Sequence, residues 1–341
     1  MTIPQLKVAV LFPFRSQVDA LAELSKKYEI EFIWTPYLES TELRSSRGQN
    51  LGRNVENLEE PDISKDIRTQ WRDCNGVVSM DLPSQPDLLF PKLEWFQGVS
   101  AGHDHIDVSV LSEMGVTQTN SRGIASPAIS EFVFARVLQE LKHLRKLDNQ
   151  QIEKKWEVQF GNQTEGKTLG IVGLGSIGSE IATKAKAFGM HVLASRQNHE
   201  LGVGGAPVDE LFPSRDIDKM LAHCDVVVMA APANEETEGL FNDSRFSIMK
   251  KGAIFVNIAR GVHVVEEDLI MHLKSGHLRA AILDVVRDEP LATDNPLWDA
   301  PNLYLSPHCS VSFDSYEINA IKLITENALR FLAGNELINT I

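Results

Sequence analysis

The chain of 341 residues has an ordinary globular composition, with 43% hydrophobic and 23% charged residues. Its length predicts two domains, because a domain averages roughly 150 residues. The net charge of −14 disfavours nucleic-acid and membrane-surface partners, both of which need basic protein surfaces. The same charge raises a question about anionic ligands, which an acidic surface repels.

Membrane insertion, secretion and disulfide bonding are all disfavoured by the sequence. No segment approaches the roughly 18 apolar residues of a membrane span, and no cleavage site for a secretory signal follows the first apolar run. The cysteines, Cys74, Cys224 and Cys309, have neither disulfide-framework nor metal-site spacing. We therefore expect a reducing, cytoplasmic setting.

Strand-like and helix-like segments alternate along the chain, which predicts parallel sheets with helices on both faces. Strands are predicted at residues 7–12, 30–34, 76–80, 93–99, 168–172, 191–194, 226–230, 253–257, 280–283 and 303–305. Helices are predicted at 17–27, 130–147, 177–188 and 313–332, and the second of these is long enough to connect two domains. The polar stretch 36–61 is long for a loop, so we expect it to be partly helical, functional or mobile.

A G-x-G-x-x-G motif directly follows one predicted strand and opens the next predicted helix. In a dinucleotide site, Gly173 gives the tight turn, Gly175 lets the backbone approach the pyrophosphate, and Gly178 lets the helix pack against the strand. The alternative is a glycine-rich turn that binds nothing, but the strand before and the helix after favour a nucleotide site. We expect Ser176 and Ile177 to contact the cofactor together with the glycines.

The end of the following predicted strand indicates which nucleotide is bound. An NAD site normally has an acidic residue there, about 20 positions after the glycines, that binds the ribose 2′-hydroxyl. This sequence instead has Ser195, Arg196 and Gln197. Arg196 can pair with a 2′-phosphate and Ser195 can donate a hydrogen bond to it. We predict a preference for NADP(H), with NAD(H) possible; the alternative is that Arg196 is simply a solvated arginine.

Three polar segments toward the C-terminus each follow a predicted strand, at the edge of a parallel sheet where ligands bind. They contain Arg260, the run from Asp284 to Glu289, and His308. Each segment alone is weak evidence, because such side chains are more often structural than catalytic. Together, and downstream of a glycine motif, they supply an anion-binding group, a carboxylate and a titratable imidazole.

This combination resembles the D-isomer-specific 2-hydroxyacid dehydrogenase family over nearly the whole chain. The resemblance includes residues 98–107 (GVSAGHDHID), 120–131 (NSRGIASPAISE) and 225–241 (DVVVMAAPANEETEGLF). It implies two Rossmann-like, doubly wound α/β domains, in which an NADP-binding domain at 119–308 is inserted into a flavodoxin-like substrate domain of 1–118 and 309–341. It also implies a homodimer.

The family resemblance implies a role for each polar group. Arg260 is expected to bind the substrate carboxylate and to polarise the 2-oxo group. His308 is expected to give a proton to the carbonyl oxygen as hydride arrives, while Glu289 fixes the imidazole tautomer and favours its protonated form. Asp284 is expected to hold the nicotinamide carboxamide. The other expected contacts are those of Pro232 and Ile258 with the cofactor, and of the backbone at Ser100, Ala101 and Gly102 with the substrate carboxylate.

Two departures from the family pattern affect the interpretation. The acidic ribose-binding residue is absent, as in NADPH-using members similar to glyoxylate/hydroxypyruvate reductases. The substrate loop carries four potential metal ligands, His103, Asp104, His105 and Asp107. Adjacent residues point in different directions and hydride transfer in this family needs no metal, so we expect none. Cys309, beside His308, is expected to be a packing residue rather than a nucleophile.

The sequence therefore predicts an NADPH-dependent reductase that converts small 2-oxo acids to D-2-hydroxy acids. Glyoxylate and hydroxypyruvate are the first candidate substrates, and branched 2-oxo acids such as 2-ketopantoate are the next. An alternative is a nucleotide-sensing binding protein like the family's transcriptional corepressors, which the acidic chain and the absence of a nuclear-localisation tract disfavour. Phosphite or formate oxidation within the same superfamily is a third hypothesis.

Overall fold

The computed structural model describes residues 6–16, 18–48, 59–103 and 105–341. The chain divides into two compact units, of which unit 1 comprises Met1–Ile124 with Phe313–Ile341, and unit 2 comprises Ala125–Ser312. Unit 2 is therefore inserted into unit 1 along the chain. The predicted boundaries lie a few residues before these in the sequence.

The described residues of unit 1 form a five-stranded parallel sheet flanked by helices. The strands are β1 (Leu6–Val10), β2 (Ile30–Trp34), β3 (Gly76–Ser79), β4 (Trp95–Gly98) and β5 (Thr117–Thr119). The helices are α1 (Val18–Lys27), α2 (Thr41–Gly48), α3 (Lys65–Trp71), α4 (Pro86–Leu89), α5 (Val108–Glu113) and α12 (Phe313–Leu332). The strand order β2-β1-β3-β4-β5 is that of flavodoxin-like proteins, as expected.

Both faces of the central strands β1 and β3 are buried, which explains why these strands are mainly apolar. Val8 and Val10 belong to one hydrophobic cluster, whereas Ala9, between them in β1, belongs to another. Ile324 of α12 packs in the same cluster as Val8. The C-terminal helix is therefore part of the core of unit 1.

Unit 2 contains a seven-stranded parallel sheet. Its strands are β6 (Thr168–Val172), β7 (His191–Arg196), β8 (Glu210–Pro213), β9 (Val226–Met229), β10 (Ala253–Asn257), β11 (Leu278–Leu283) and β12 (Leu303–Leu305). Its helices are α6 (Ser126–Leu141), α7 (Leu144–Ile152), α8 (Ser176–Ala187), α9 (Ile217–Leu221), α10 (Asp243–Ile248) and α11 (Glu266–Lys274). The order β12-β11-β10-β9-β6-β7-β8 is the Rossmann order. All strands are parallel, and the order in which they are added reverses between β6 and β9. The predicted fold class is confirmed.

The prediction of one connecting helix at 130–147 is wrong. Helix α6 ends at Leu141 and α7 begins at Leu144, and both lie within unit 2. His143, between the two helices, has a φ of 58°, a left-handed conformation that ends a right-handed helix. Apolar spacing continues across this break, so periodicity alone cannot detect it.

The polar stretch 36–61 is partly helical, because α2 lies within it. Residues 49–58 of this stretch lie outside the described residues. Among the helices of the described residues, none has the combination of length and apolar character that crossing a membrane requires. All three cysteines are free, with Cys74 and Cys224 buried and Cys309 exposed.

Candidate active site

The glycine turn between β6 and α8 has the shape that a dinucleotide phosphate site requires. Gly173 has a φ of +103°, and a Cβ atom there would lie 2.5 Å from the backbone nitrogen of Ala231. A Cβ atom on Gly178 would lie 2.4 Å from the carbonyl oxygen of Gly173, so only glycine lets α8 pack on the turn. A Cβ atom on Gly175 would meet no atom within 4 Å. The backbone at Gly175 therefore borders open space at a helix N-terminus, which fits a pyrophosphate.

The end of β7 is bonded to this turn. The N–H groups of Gly173 and Leu174 donate to the carbonyl oxygen of Ser195, at 3.0 and 3.2 Å. Arg196 follows Ser195, is half-buried, and donates from Nη1 to the carbonyl oxygen of Gly202 at 3.0 Å. Arg196 thus stands one residue after the strand position that is bonded to the glycine turn, where an NAD site has a carboxylate, and its guanidinium contacts the later turn at Gly202.

A carboxylate from another loop also reaches this strand end. The side-chain amide of Gln197 donates to Glu236 Oε2 at 3.1 Å. Glu236 lies in the loop after β9, 39 residues after Gln197. The sequence therefore gave no indication that it lies near this strand end. This side chain is relevant to the choice between the two nicotinamide nucleotides.

Arg260, Asp284 and His308 follow three adjacent parallel strands, β10, β11 and β12. These strands end in register, because Asn257 pairs with Leu283 and Leu283 pairs with Leu305. The three loops therefore leave the sheet at the same edge, its carboxyl edge.

Arg260 lies in a turn that is shaped by a buried asparagine. Asn257 is fully buried, and its Oδ1 accepts the N–H of Ala259 at 3.1 Å while its Nδ2 donates to the carbonyl oxygen of Arg260 at 2.8 Å. The Arg260 guanidinium is half-buried and donates from Nη1 to the carbonyl oxygen of Ala259 at 2.8 Å. One side chain thus fixes the peptide group after Arg260 and the peptide group between Ile258 and Ala259.

A glycine packs the Arg260 turn onto the loop that carries Glu289. A Cβ atom on Gly261 would lie 1.9 Å from the carbonyl carbon of Val286 and 2.3 Å from the nitrogen of Arg287. The N–H of Arg287 donates to Glu266 Oε1 at 2.8 Å, and burial raises the pKa of Glu266. Sequence reasoning identified neither Gly261 nor Glu266 as a site residue.

The imidazole of His308 contacts the Glu289 carboxylate, with Nδ1 3.0 Å from Oε2. Glu289 is itself oriented by the N–H of Val286, which donates to its Oε1 at 3.2 Å. The His308 side chain is 52% exposed, so the ring is accessible to a ligand and to solvent. Because Nδ1 faces the carboxylate, Nε2 is the nitrogen that can exchange a proton with a substrate. This arrangement suits an acid/base whose tautomer is set by its carboxylate partner.

Cys309 lies beside His308 without the features of a nucleophile. The pKa of its thiol is raised, first by burial and then by the charge of Asp284. A reactive cysteine needs the opposite shift, because the thiolate is the nucleophilic form.

Two further residues missed by the sequence reasoning are His263 and its partner Thr237. His263 is fully buried, with Nδ1 3.0 Å from the carbonyl oxygen of Thr237 and Nε2 3.2 Å from that of Ala231. Burial lowers the pKa of this imidazole. His263 therefore ties the segment after β9 to the turn of Arg260.

The predicted cofactor contacts Pro232 and Ile258 lie in these same two loops. Pro232 is exposed, and its carbonyl oxygen accepts the Thr237 hydroxyl at 3.0 Å. Ile258 is 6% exposed and packs in the core of unit 2.

The predicted substrate loop, Ser100 to Gly102, belongs to unit 1. The carbonyl oxygen of Ser100 accepts the N–H of Ser121 at 3.0 Å, and that of Ala101 accepts the side-chain amide of Asn120 at 3.0 Å. Within the described part of the chain, the N–H groups of Ala101 and Gly102 donate to no acceptor. Such donors suit a carboxylate ligand.

The residues that follow this loop have structural contacts of their own. Nε2 of His105 lies 2.7 Å from the carbonyl oxygen of Met80, and Asp107 caps the start of α5 by accepting the N–H of Ser109 at 3.1 Å. Asp104 lies outside the described residues. In the part of the chain that is described, no group of three or more His, Cys, Asp or Glu side chains is placed to hold a metal ion.

The two parallel sheets and the glycine turn define a nucleotide-binding α/β protein. Residues 134–310 match the family model for the D-isomer specific 2-hydroxyacid dehydrogenase, NAD binding domain. The chain is 34% identical to glyoxylate/hydroxypyruvate reductase B of Klebsiella pneumoniae, over 82% of this chain and 88% of that protein. It is 30% identical to glyoxylate reductase of Aeropyrum pernix, over 93% of this chain and 90% of that one.

A solved structure gives the same result. The crystal structure of a D-isomer specific 2-hydroxyacid dehydrogenase family protein from Aeromonas salmonicida matches with a TM-score of 0.80 and 30% identity, covering 99% of each chain. This chain therefore belongs to the D-isomer specific 2-hydroxyacid dehydrogenase family, and the resemblance inferred from its motifs is confirmed.

Proposed function

We propose that the protein uses NADPH to reduce small 2-oxo acids to D-2-hydroxy acids. The observation that carries the proposal is the 3.0 Å contact between His308 and Glu289, on the sheet edge that also presents Arg260. Both curated relatives named above are glyoxylate or glyoxylate/hydroxypyruvate reductases. Glyoxylate and hydroxypyruvate are therefore the first proposed substrates, and branched 2-oxo acids such as 2-ketopantoate are the next.

Each polar group has a defined task in the proposed reaction. The Arg260 guanidinium binds the substrate carboxylate and polarises the adjacent 2-oxo group. When bound, the reduced nicotinamide supplies the hydride that adds to the carbonyl carbon. His308 gives a proton from Nε2 to the carbonyl oxygen, and Glu289 holds the ring in place through its contact with Nδ1. The exposed imidazole then regains a proton from solvent.

The proposed preference for NADPH rests on Arg196. A guanidinium has five N–H donors, and the hydrogen bond to the carbonyl oxygen of Gly202 uses one of them, so others can bind a 2′-phosphate. Glu236 favours NADH as the second candidate, since a carboxylate that reaches Gln197 is near enough to the strand end to bind ribose hydroxyl groups. Arg196 thus favours NADPH, whereas Glu236 favours NADH.

Steady-state kinetics with a graded series of 2-oxo acids tests the proposal. We expect reduction of glyoxylate and hydroxypyruvate, with a higher kcat/KM for NADPH than for NADH. A higher kcat/KM with NADH would overturn the NADPH assignment and would favour Glu236 as the residue that binds the ribose. Tight nucleotide binding in a fluorescence titration, without reduction of any 2-oxo acid, would favour the nucleotide-sensing binding protein instead.

We also propose that the protein is a homodimer, from an exposed apolar segment of unit 2. Ile152, Trp156 and Phe160 are 79%, 100% and 88% exposed. Contiguous exposed apolar side chains mark interaction surfaces. Residues 144–160 carry four basic and three acidic side chains, so this segment is nearly neutral on a strongly acidic chain and suits a second copy as its partner. Sedimentation equilibrium should show a dimer that Trp156→Ser weakens, and a monomeric wild type would refute the proposal. The cytoplasmic location stays a prediction.

A further inference from the structure

The loop that carries His308 folds around one buried carboxylate. Asp284 is 1% exposed, and its Oδ1 accepts hydrogen bonds from the Ser306 hydroxyl at 2.6 Å and from the N–H of Cys309 at 3.0 Å. Its Oδ2 accepts the N–H of Ser310 at 3.0 Å. Donors from three residues of the loop therefore converge on a single side chain.

The backbone around Asp284 binds the same loop. The N–H of His308 donates to the carbonyl oxygen of Asp284 at 2.8 Å, and the N–H of Ser306 donates to that of Leu283 at 3.0 Å. His308 has a φ of +52°, in the left-handed region that is unfavourable for any residue with a Cβ atom. Such a conformation persists only where surrounding contacts impose it. The hydrogen bonds to Asp284 and Leu283 are contacts of this kind.

We propose that Asp284 is a positioning residue, which holds His308 in the orientation where its Nδ1 meets Glu289. The inference rests on the proposed role of His308 as the acid/base. Both members of the pair are fixed by one short stretch of chain, because Asp284 holds the loop of His308 and Val286 holds Glu289 through its N–H. The two sets of hydrogen bonds are separate, so loss of the bonds from Asp284 to residues 306–310 should move the His308 ring and leave the bond between Val286 and Glu289 in place.

This role differs from the contact with the nicotinamide carboxamide that the family resemblance implies. Positioning acts in the cofactor-free protein, because every donor to Asp284 described above comes from the chain itself. The two roles are compatible, since Oδ2 has one protein donor and can accept a second hydrogen bond. Any effect in the absence of nucleotide belongs to positioning alone.

The first test is nitrogen NMR of the His308 imidazole in the cofactor-free protein, at a pH where the ring is neutral. A His308→Gln variant assigns the signal. The wild type should show one tautomer, with the proton on Nδ1, and Asp284→Asn should show a mixture of tautomers. An asparagine offers one oxygen where the loop needs two acceptor atoms, so it cannot keep all three hydrogen bonds.

Two further variants complete the test. Ser306→Ala removes one donor to Asp284 and should shift the tautomer ratio in the same direction by less, which keeps the proposal testable if Asp284→Asn does not fold. Asp225→Asn is the matched control, because Asp225 also accepts a backbone N–H, that of Thr168 at 2.8 Å. Asp225 lies at the amino ends of the strands of the same sheet, away from His308. This variant should leave the His308 signal unchanged.

Kinetics provides the second readout. Asp284→Asn should lower kcat for glyoxylate on the order of 10²-fold, the loss expected when a reacting group is displaced by about 1 Å, with a much smaller change in KM for NADPH. An unchanged tautomer in both the Asp284→Asn and Ser306→Ala variants would overturn the positioning role. If Asp284→Asn raises KM for NADPH and leaves kcat unchanged, Asp284 acts only in cofactor binding and the positioning role is wrong. If the wild type reduces no 2-oxo acid, the proposed function fails, whereas the NMR result on the cofactor-free protein still decides the positioning role.

Discussion

Gly261→Ala is the substitution that tests most directly how the proposed site is assembled. The new Cβ atom would lie 1.9 Å from the carbonyl carbon and 2.0 Å from the carbonyl oxygen of Val286, whereas ordinary contacts begin at 3.4 Å. The two backbone segments must therefore separate by about 1.5 Å, and neither has a flexible side chain end that can move instead. Overpacking of this kind costs about 1–3 kcal/mol of unfolding free energy. It also moves Arg260 away from the loop of Glu289.

The displacement should be visible in both stability and catalysis. A misplacement of about 1 Å can reduce turnover on the order of 10²-fold, so kcat/KM for glyoxylate should fall by at least that factor. Urea denaturation measures the unfolding free energy, and initial rates measure kcat/KM. Gly175→Ala is the control for stability, since its Cβ atom would meet no atom within 4 Å. Wild-type stability and wild-type kcat/KM in Gly261→Ala would refute the claim that this contact positions Arg260.

Four other variants test separate parts of the structure. Gly175→Ala should keep the stability of the wild type but raise KM for NADPH in steady-state assays, because a methyl group fills the space left for the pyrophosphate. Arg196→Gln should lower kcat/KM with NADPH and not with NADH, whereas the exposed Arg215→Gln should change neither. His308→Ala should lower kcat by roughly 10²–10⁴-fold while fluorescence titration shows unchanged NADPH binding. Burial raises the pKa of Glu39 to about 7. Between pH ~4.5 and ~7 the folded protein therefore keeps a proton on Glu39 that the unfolded chain has released. The free energy of unfolding should fall as the pH rises through that window. Glu39→Gln should flatten this fall, and parallel curves for the two proteins in urea denaturation would contradict it.

Much of unit 2 could be predicted because its strands and its glycine turn carry local signals. The predicted strands at 168–172 and 253–257 have the same bounds as β6 and β10. Both are short, mainly apolar runs, one followed by Gly173 and the other ending in Asn257, which is the pattern of a strand buried on both faces. Strand β8, Glu210–Pro213, was not predicted because it is partly exposed and ends in proline.

Contacts between distant residues could not be predicted in the same way. The pattern Arg-Gly after a strand marks Arg260, but nothing local shows that Gly261 touches Val286, 25 residues later. Asp284 likewise shows no local sign of its hydrogen bonds to residues 306–310. Such pairs depend on the register of β10, β11 and β12, which is fixed only when the sheet is assembled.

The polar stretch after β2 shows the same limit in unit 1. Its composition is that of a solvated loop, yet Glu39 is 4% exposed and Arg47 lies 3.0 Å from it. Arg44 forms a paired contact with Asp81, at 2.6 and 2.7 Å, although the two are 37 residues apart. Buried charges are tolerated where such partners exist. Arg47 comes from α2 within the stretch itself, whereas Asp81 comes from the segment after β3.

An acidic protein can bind two anionic ligands because electrostatic attraction at a site is local. At physiological ionic strength the Debye length is about 8 Å, so most of the net charge of −14 is screened from any single site. In the proposed function, Arg260 and the N-terminus of α8 bind their anions at contact distance, where screening is weak. The carboxylate of Glu289 lies 3.0 Å from Nδ1 of His308, so it orients the imidazole by direct contact rather than through the long-range field of the protein. What matters for binding is therefore how firmly a few charges are held, and here Asn257 holds the turn of Arg260 with two hydrogen bonds.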